Sequence, residues 1–210
     1  TGVGFLALRF AAQGASVVGV DISAEQIEQA RRAAAASGVD ATFEVAAAED
    51  TKLPDGRFDV AAASQSWLYF DRLRAIAEVK RVLKPAGVLM ISGFGWLPRQ
   101  DAVAKASEQL VLAHNPKWTS ADMSGEIPIM PGWARDEFEL HGMFAFDVQI
   151  PFTWESWRGR FRACRGVGAT LSPEQVVAFD RDHDGLLRRI TPEHFSVLHR
   201  VNAHILRPVR

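Results

Sequence analysis

A single cysteine, Cys164, stands in 210 residues, so no internal disulfide forms and no zinc site is shared with other cysteines. Tyrosine is as scarce, Tyr69 being the one copy. No apolar run approaches the roughly 20 residues that a membrane-spanning helix needs. No membrane partner is therefore expected, and a cytoplasmic setting is. An excess of either charge is missing too: 24 Lys and Arg against 25 Asp and Glu leave a net charge of −1. That balance lacks the basic surplus that attracts nucleic acid. The six histidines show no paired i, i+4 spacing with a third ligand, so no metal is expected. What is present is globular in kind. Hydrophobic residues make up 48% of the chain and charged ones 23%, enough for one core, or one core with a cap, at this length.

The organising stretch is Thr1 to Ser23, TGVGFLALRFAAQGASVVGVDIS. Glycines open it, an apolar helical run follows (Phe5, Leu6, Leu8, Phe10), Gly14 stops the helix, and Ser16–Val20 reads as a strand ending at Asp21. Glycines let backbone N–H groups at a helix start approach a bound anion. An acid about twenty residues on, at the next strand's tip, suits ribose hydroxyls. The same residues also fit an ordinary helix start beside a strand. A strand ahead of the glycines would decide between them, and the sequence begins after that point. In a doubly wound sheet that strand is central, and without it two strand edges stand open. The chain thus reads as lacking an N-terminal segment.

Downstream, Ser23 and Gln26 form a capping box for a helix to about Ala36, stopped at Gly38. Ala41–Val45 reads as a strand, Leu53–Gly56 as a turn, and Phe58–Ala63 as a buried strand. Asp71 caps a helix to Leu83, with Leu73, Ile76, Val79 and Leu83 at helical spacing and Pro85 and Gly87 closing it. Val88–Ser92 is the next strand. Alternating strands and helices imply an α/β fold with a mostly parallel sheet and right-handed crossovers. Beyond Trp96 a helix (Asp101–Ala113), a loop (Pro116–Pro131), a strand (Phe138–Phe152, kinked at Gly142), a helix (Thr153–Cys164), a Ser172-capped helix to Arg189 and a closing strand (Phe195–Leu206) are expected.

Five stretches in this order, Thr1-Gly2, VVGVDIS (17–23), AAAEDTKLP (46–54), FDVAAASQSWLYFD (58–71) and EVKRVLKPAGVLMIS (78–92), resemble the class I S-adenosylmethionine-dependent methyltransferases. The flavour is that of the ubiquinone/menaquinone-biosynthesis-like and trans-aconitate-methyltransferase-like group. The resemblance implies a doubly wound Rossmann-like sheet with an antiparallel closing strand, a helical and loop cap, and its first strand missing. It implies a cofactor-binding part over 1–95, and an acceptor-binding insertion with the closing strands of the same domain over 96–210. S-adenosyl-L-methionine is the implied cofactor. Thr1 and Gly2 would lie beneath its methionine part, Asp21 on the ribose with Ile22 packing on the adenine, Ala48 and Glu49 at the adenine edge, and Ser64, Gln65 and Trp67 beside the sulfonium. Three positions depart from the family: Ala47 replaces an acid, Pro85-Ala86-Gly87 replaces Pro-Gly-Gly, and Leu68 stands where relatives often carry histidine.

Rival readings of the glycine–acid pattern fare less well. A short-chain dehydrogenase needs Tyr-x-x-x-Lys, but Leu73 follows Tyr69 at that spacing, and no Gly-Lys-Ser/Thr phosphate loop exists. A catalytically inactive, cofactor-binding regulatory protein of the same fold remains the alternative. Methyl transfer is an in-line displacement needing alignment and water exclusion. A base is needed only for a protonated acceptor, and His141 and Tyr69 are the weak candidates. Arg158, Arg162 and Arg165 share a helical face with Arg160 beside them, suggesting a clamp for an acidic acceptor or else a solvated basic face. Trp96, Trp154, Trp157 and Arg158 are the expected acceptor-binding residues, for a small acidic or aromatic molecule. So many tryptophans equally suit a core or a homodimer interface. Asp180–Gly185 mimics a calcium loop, yet its twelfth position is Thr191 rather than a bidentate Glu, and the acids read as a solvated helical end.

Overall fold

A computed structural model describes residues 1–209. In order come α1 (Phe5–Ala12), β1 (Val17–Asp21), α2 (Ala24–Ser37), β2 (Ala41–Val45), β3 (Phe58–Ser64), α3 (Arg72–Val82), β4 (Leu83–Trp96), α4 (Ala102–His114), β5 (Phe138–Thr153), α5 (Trp154–Arg162), α6 (Pro173–Ile190) and β6 (His194–Pro208). Short 3₁₀ turns cover Trp67–Tyr69 and Gly132–Ala134. No helix among the described residues is long and apolar enough to cross a membrane.

The caps act where the sequence places them. Ser23, Asp71, Asp101, Thr153 and Ser172 each accept a backbone N–H of the helix they precede, and Gly38 ends α2 in the left-handed region at φ 64°. Two sheets result: β1 pairs with β2 in parallel, and a four-stranded sheet runs β3-β4-β6-β5 with β3 and β4 parallel. The Leu97 N–H donates to the Leu198 carbonyl, and the Val209 N–H donates to that of Glu137. These bonds set the end of β4 by the start of β6, and the end of β6 by the start of β5. β6 therefore runs antiparallel to both, the closing strand expected. β1 and β3 each keep one edge unpaired among the described residues.

Three sequence expectations fail, the first at the strand expected to be buried over 58–63, where only Ala63 is buried and Val60 is exposed. Pro85–Gly87 does not form a turn but lies inside β4. Phe58 pairs with Leu83 and Val60 with Val88, so the extra β4 residues form a bulge, a setting that tolerates a proline. Gly87 is needed there, because a Cβ would stand 3.0 Å from the Phe58 carbonyl oxygen. Leu73 is not a core residue of α3 but 76% exposed. The buried stripe is Ala75, Ile76, Val79 and Val82, and at about 100° per residue Leu73 points roughly 160° away from Ala75.

The chain divides into two compact units. The first takes 1–93, 128–144 and the end from Ala203, and the second takes 94–127 and 145–202. The first has two apolar clusters, one around Ile27, Ala30 and Phe43 and one around Trp67, Ile76, Leu89, Phe138 and Leu206. The second is built on Val111, Trp157, Phe161, Phe179, Leu187 and Val197.

In the first unit Glu78 is buried but fully answered. It receives the Thr51 N–H (2.8 Å), the Thr51 hydroxyl, and both Nε (2.8 Å) and Nη2 (2.7 Å) of Arg81. The Arg81 bonds outweigh desolvation and, with Thr51, hold the Glu78 carboxyl at about 2 instead of 4.5. A depressed folded-state value stabilises above the unfolded value and is lost as pH falls through the folded one. Acid titration should therefore remove on the order of 3 kcal/mol from the native state between pH 4.5 and 2. Glu78→Gln should flatten that limb in urea melts at several pH values. An unchanged slope would assign acid sensitivity to other groups.

Candidate cofactor-binding site

The loop Thr1–Gly4 closes by a bond from the Gly4 N–H to the Thr1 carbonyl (3.1 Å), and Gly2 and Gly4 sit at φ 56° and 81°. Gly4 precedes α1, and a Cβ on it would lie 3.1 Å from the Ala30 Cβ and 3.2 Å from the Phe43 ring. Glycine here serves both backbone angle and close packing of the helix start. Gly19 in β1 opens space for the same loop, since its Cβ would stand 2.7 Å from the Thr1 hydroxyl.

Asp21 ends β1. Its Oδ2 accepts the Gly2 N–H at 2.8 Å and the Thr1 amino group at 3.1 Å, while Oδ1 accepts the Ser23 N–H at 3.0 Å. Burial opposes the charge, while the bonds from the Ser23 and Gly2 N–H groups lower the carboxyl's pKa below its ordinary range. A carboxylate offers about four lone-pair positions, so Oδ1 can still accept a hydroxyl. Ile22, next in the chain, is 76% exposed.

The Ala46 N–H donates to the Asp21 carbonyl (3.0 Å), which places Ala46–Glu49 directly beside the end of β1. Glu49 spends Oε1 on the Asp71 N–H at 2.8 Å, bracing the start of α3. Ser64 closes β3 with an exposed side chain. Gln65 follows in the left-handed region at φ 59°, its N–H donating to Ser92 at 3.0 Å, and this bend turns the chain into the 3₁₀ turn holding Trp67. A non-glycine residue in that region is uncommon and marks sites where geometry is imposed. Trp67 is nearly buried, 4.9 Å from the Trp133 ring, and its Nε1 has no partner. Thr1, Gly2, Asp21 and Ile22 are thus joined by bonds or sequence to Ala48 and Glu49, while Ser64, Gln65 and Trp67 form the end of a neighbouring strand in the same unit.

The acceptor residues expected from sequence fare differently. Arg158 is no free clamp: Nε and Nη2 bind Asp180, and Nη1 lies 3.0 Å from Asp184 and 3.3 Å from Glu155. The bonds to Asp180 raise the Arg158 pKa still further. Asp180 also takes Arg162 (2.6 Å), so acids read as a solvated helical end instead tie α5 to α6. Trp157 is fully buried, with its indole N–H on the Ser107 hydroxyl at 3.0 Å; it is core, not a binding surface. Trp154 lies under Arg188 (4.3 Å) and donates to the Thr191 hydroxyl. Trp96 is half-buried and donates to Glu108 at 2.6 Å. Tyr69 is 52% exposed at the end of its 3₁₀ turn, and His141 is exposed on β5. No group of acids, histidines or cysteine among the described residues could hold a metal. Two open grooves lie in the second unit, about 390 Å³ beside Phe152 and His194 and about 560 Å³ between α4 and α6. Neither includes a residue of the cofactor set. Sequence reasoning missed Glu108, whose partners Trp96 and Asp122 lie 12 and 14 residues away, a separation that no periodicity signals.

Residues 1–91 match the methyltransferase domain family. Over this part the chain is similar to the class I methyltransferase domains. Such domains take S-adenosylmethionine as methyl donor. The chain is 39% identical over 97 residues to a demethylmenaquinone methyltransferase of Thermus thermophilus, covering 45% of this chain and 44% of that one. A 27-O-demethylrifamycin SV methyltransferase of Amycolatopsis mediterranei is 34% identical over 113 residues, 52% of this chain and 42% of the other. The matches thus span under half the length of either relative. The solved YcgJ protein of Bacillus subtilis shares the fold, at 21% identity and a TM-score of 0.53, over 97% of this chain and 88% of its own.

Proposed function

We propose that the protein transfers a methyl group from S-adenosylmethionine to a small-molecule acceptor. The observation that carries the reading is Asp21, kept ionised at the tip of β1 beside the Gly2 N–H. The residues fit the cofactor: an ionised acid for a sugar diol, the exposed Ile22 to pack on a purine, and left-handed glycines at the start of α1. When bound, the cofactor supplies an electrophilic methyl on sulfur. Thr1 and Gly2 support its amino-acid portion, and Ala48 and Glu49 border the adenine. Ser64, Gln65 and Trp67 flank the sulfur and keep water from the line of attack. Held so, the donor would present its methyl carbon to an acceptor's lone pair, with the sulfur as the leaving group. Alignment contributes most of such a rate gain. Calorimetric titration with S-adenosylhomocysteine tests the reading: saturable binding at a single site is expected, and no heat at millimolar ligand would overturn it.

A further inference from the structure

In the second unit one guanidinium has been desolvated without being given a counter-charge. On α5, Arg158 and Arg162 both reach Asp180, but Arg160 has no carboxylate or hydrogen-bond partner among the described residues. It lies instead over the Trp96 ring, with its guanidinium carbon 5.1 Å from the centroid, and Trp96 also stacks on Phe161 at 4.9 Å. Burial works against the Arg160 charge, and the one group favouring it is Cys164. That thiol is itself pushed up by burial and stays neutral. Glu108 accepts the Trp96 indole N–H (2.6 Å) and the Asp122 N–H (2.7 Å), and it forms no ion pair with Arg160.

A second unmet polar group stands in the same aromatic surroundings. His199 is fully buried, and its ring lies 4.7 Å from Phe94, 5.7 Å from Phe152 and 6.5 Å from Trp96. Its Nδ1 is 2.9 Å from the Val197 carbonyl. A carbonyl only accepts, so Nδ1 carries the proton and Nε2 is a bare lone pair without a partner. Burial, helped by the Arg160 charge, lowers the pKa of this ring.

A half-buried cation that rests on an aromatic ring, with no carboxylate bonded to it, gains from a bound anion. We propose that Arg160, seated on Trp96, binds the carboxylate of a small aromatic acid. A guanidinium fork matches two carboxylate oxygens, and the Trp96, Phe94 and Phe152 rings favour an aromatic body. One positive charge balances a monoanion, whereas a phosphate dianion would bring surplus charge into apolar walls. Calling this acid the methyl acceptor rests on the function proposed above; the anion site itself does not.

The test is tryptophan fluorescence and calorimetry of the full chain with benzoate, its neutral isostere benzamide, and phenyl phosphate. Benzoate should bind at least tenfold more tightly than benzamide and more tightly than phenyl phosphate. R160Q should abolish the preference for benzoate while leaving the melting temperature and S-adenosylhomocysteine affinity unchanged. Equal binding of benzoate and benzamide, tighter binding of phenyl phosphate, or a preference that survives R160Q would overturn the site. If R160Q does not fold, the ligand comparison on the unaltered protein still decides. Benzoate selectivity without S-adenosylhomocysteine binding would keep this site and reject the methyl-transfer reading.

Discussion

Trp157→Ala should destabilise the second unit by about 3–5 kcal/mol, the usual range for removing a large aromatic ring from a core. Trp157 is wholly buried, with ring centroids of Phe152 at 4.7 Å, Phe161 at 5.1 Å, Trp96 at 5.6 Å and His199 at 6.0 Å. Its indole N–H also meets the Ser107 hydroxyl, which donates onward to the Val103 carbonyl at 2.9 Å and lies 3.0 Å from His183 Nε2. Because the Ser107 proton is committed to Val103, His183 must donate from Nε2 and is neutral. Burial, the largest influence, pulls its pKa to about 4. Trp157→Phe keeps most of the packing and forfeits one hydrogen bond, so a loss of about 1–2 kcal/mol is expected. Urea denaturation followed by circular dichroism measures both. A Trp157→Ala midpoint equal to wild type would mean that the ring is not part of the core.

Asp21→Ala should weaken S-adenosylhomocysteine binding by about 1–3 kcal/mol, or roughly 5- to 150-fold, through loss of charge-assisted hydrogen bonds to the ribose. The same substitution strips the Gly2 and Ser23 N–H groups of their acceptor. Asp21→Asn separates the two effects. The amide retains an oxygen for one backbone donor but loses the charge, so folding should recover more than affinity. Calorimetry on all three proteins, alongside melting curves, reads the split. Wild-type affinity in Asp21→Ala would remove this carboxylate from the cofactor site.

Much of the frame was legible because it is written in local chemistry. Ser23, Asp71, Asp101, Thr153 and Ser172 announced helix starts, and the run Ala41–Val45 became β2 residue for residue. The place of Asp21 at the tip of β1, beside the glycine loop, was legible because chain spacing sets it. The arginine face was seen, but which member was free was not. Arg158 and Arg160 are alike in sequence, and only the approach of α6, bearing Asp180 and Asp184, satisfies one and not the other. Trp157 and Trp96 differ for the same reason, since tertiary packing and not residue type decides which ring is sealed. The Pro-Ala-Gly segment misled because a bulge and a turn call for the same residues.

The interleaving of segments bears on how this protein can be cut or evolved. The unit holding Asp21 is closed by Ala134, Phe138 and Leu206, all beyond residue 95. A gene shortened to the recognisable first 95 residues would encode a product with its seams open, prone to clump and quick to be proteolysed. Diversification of this chain would therefore proceed by exchange within the segments 94–127 and 145–202, with the returning strands kept in place.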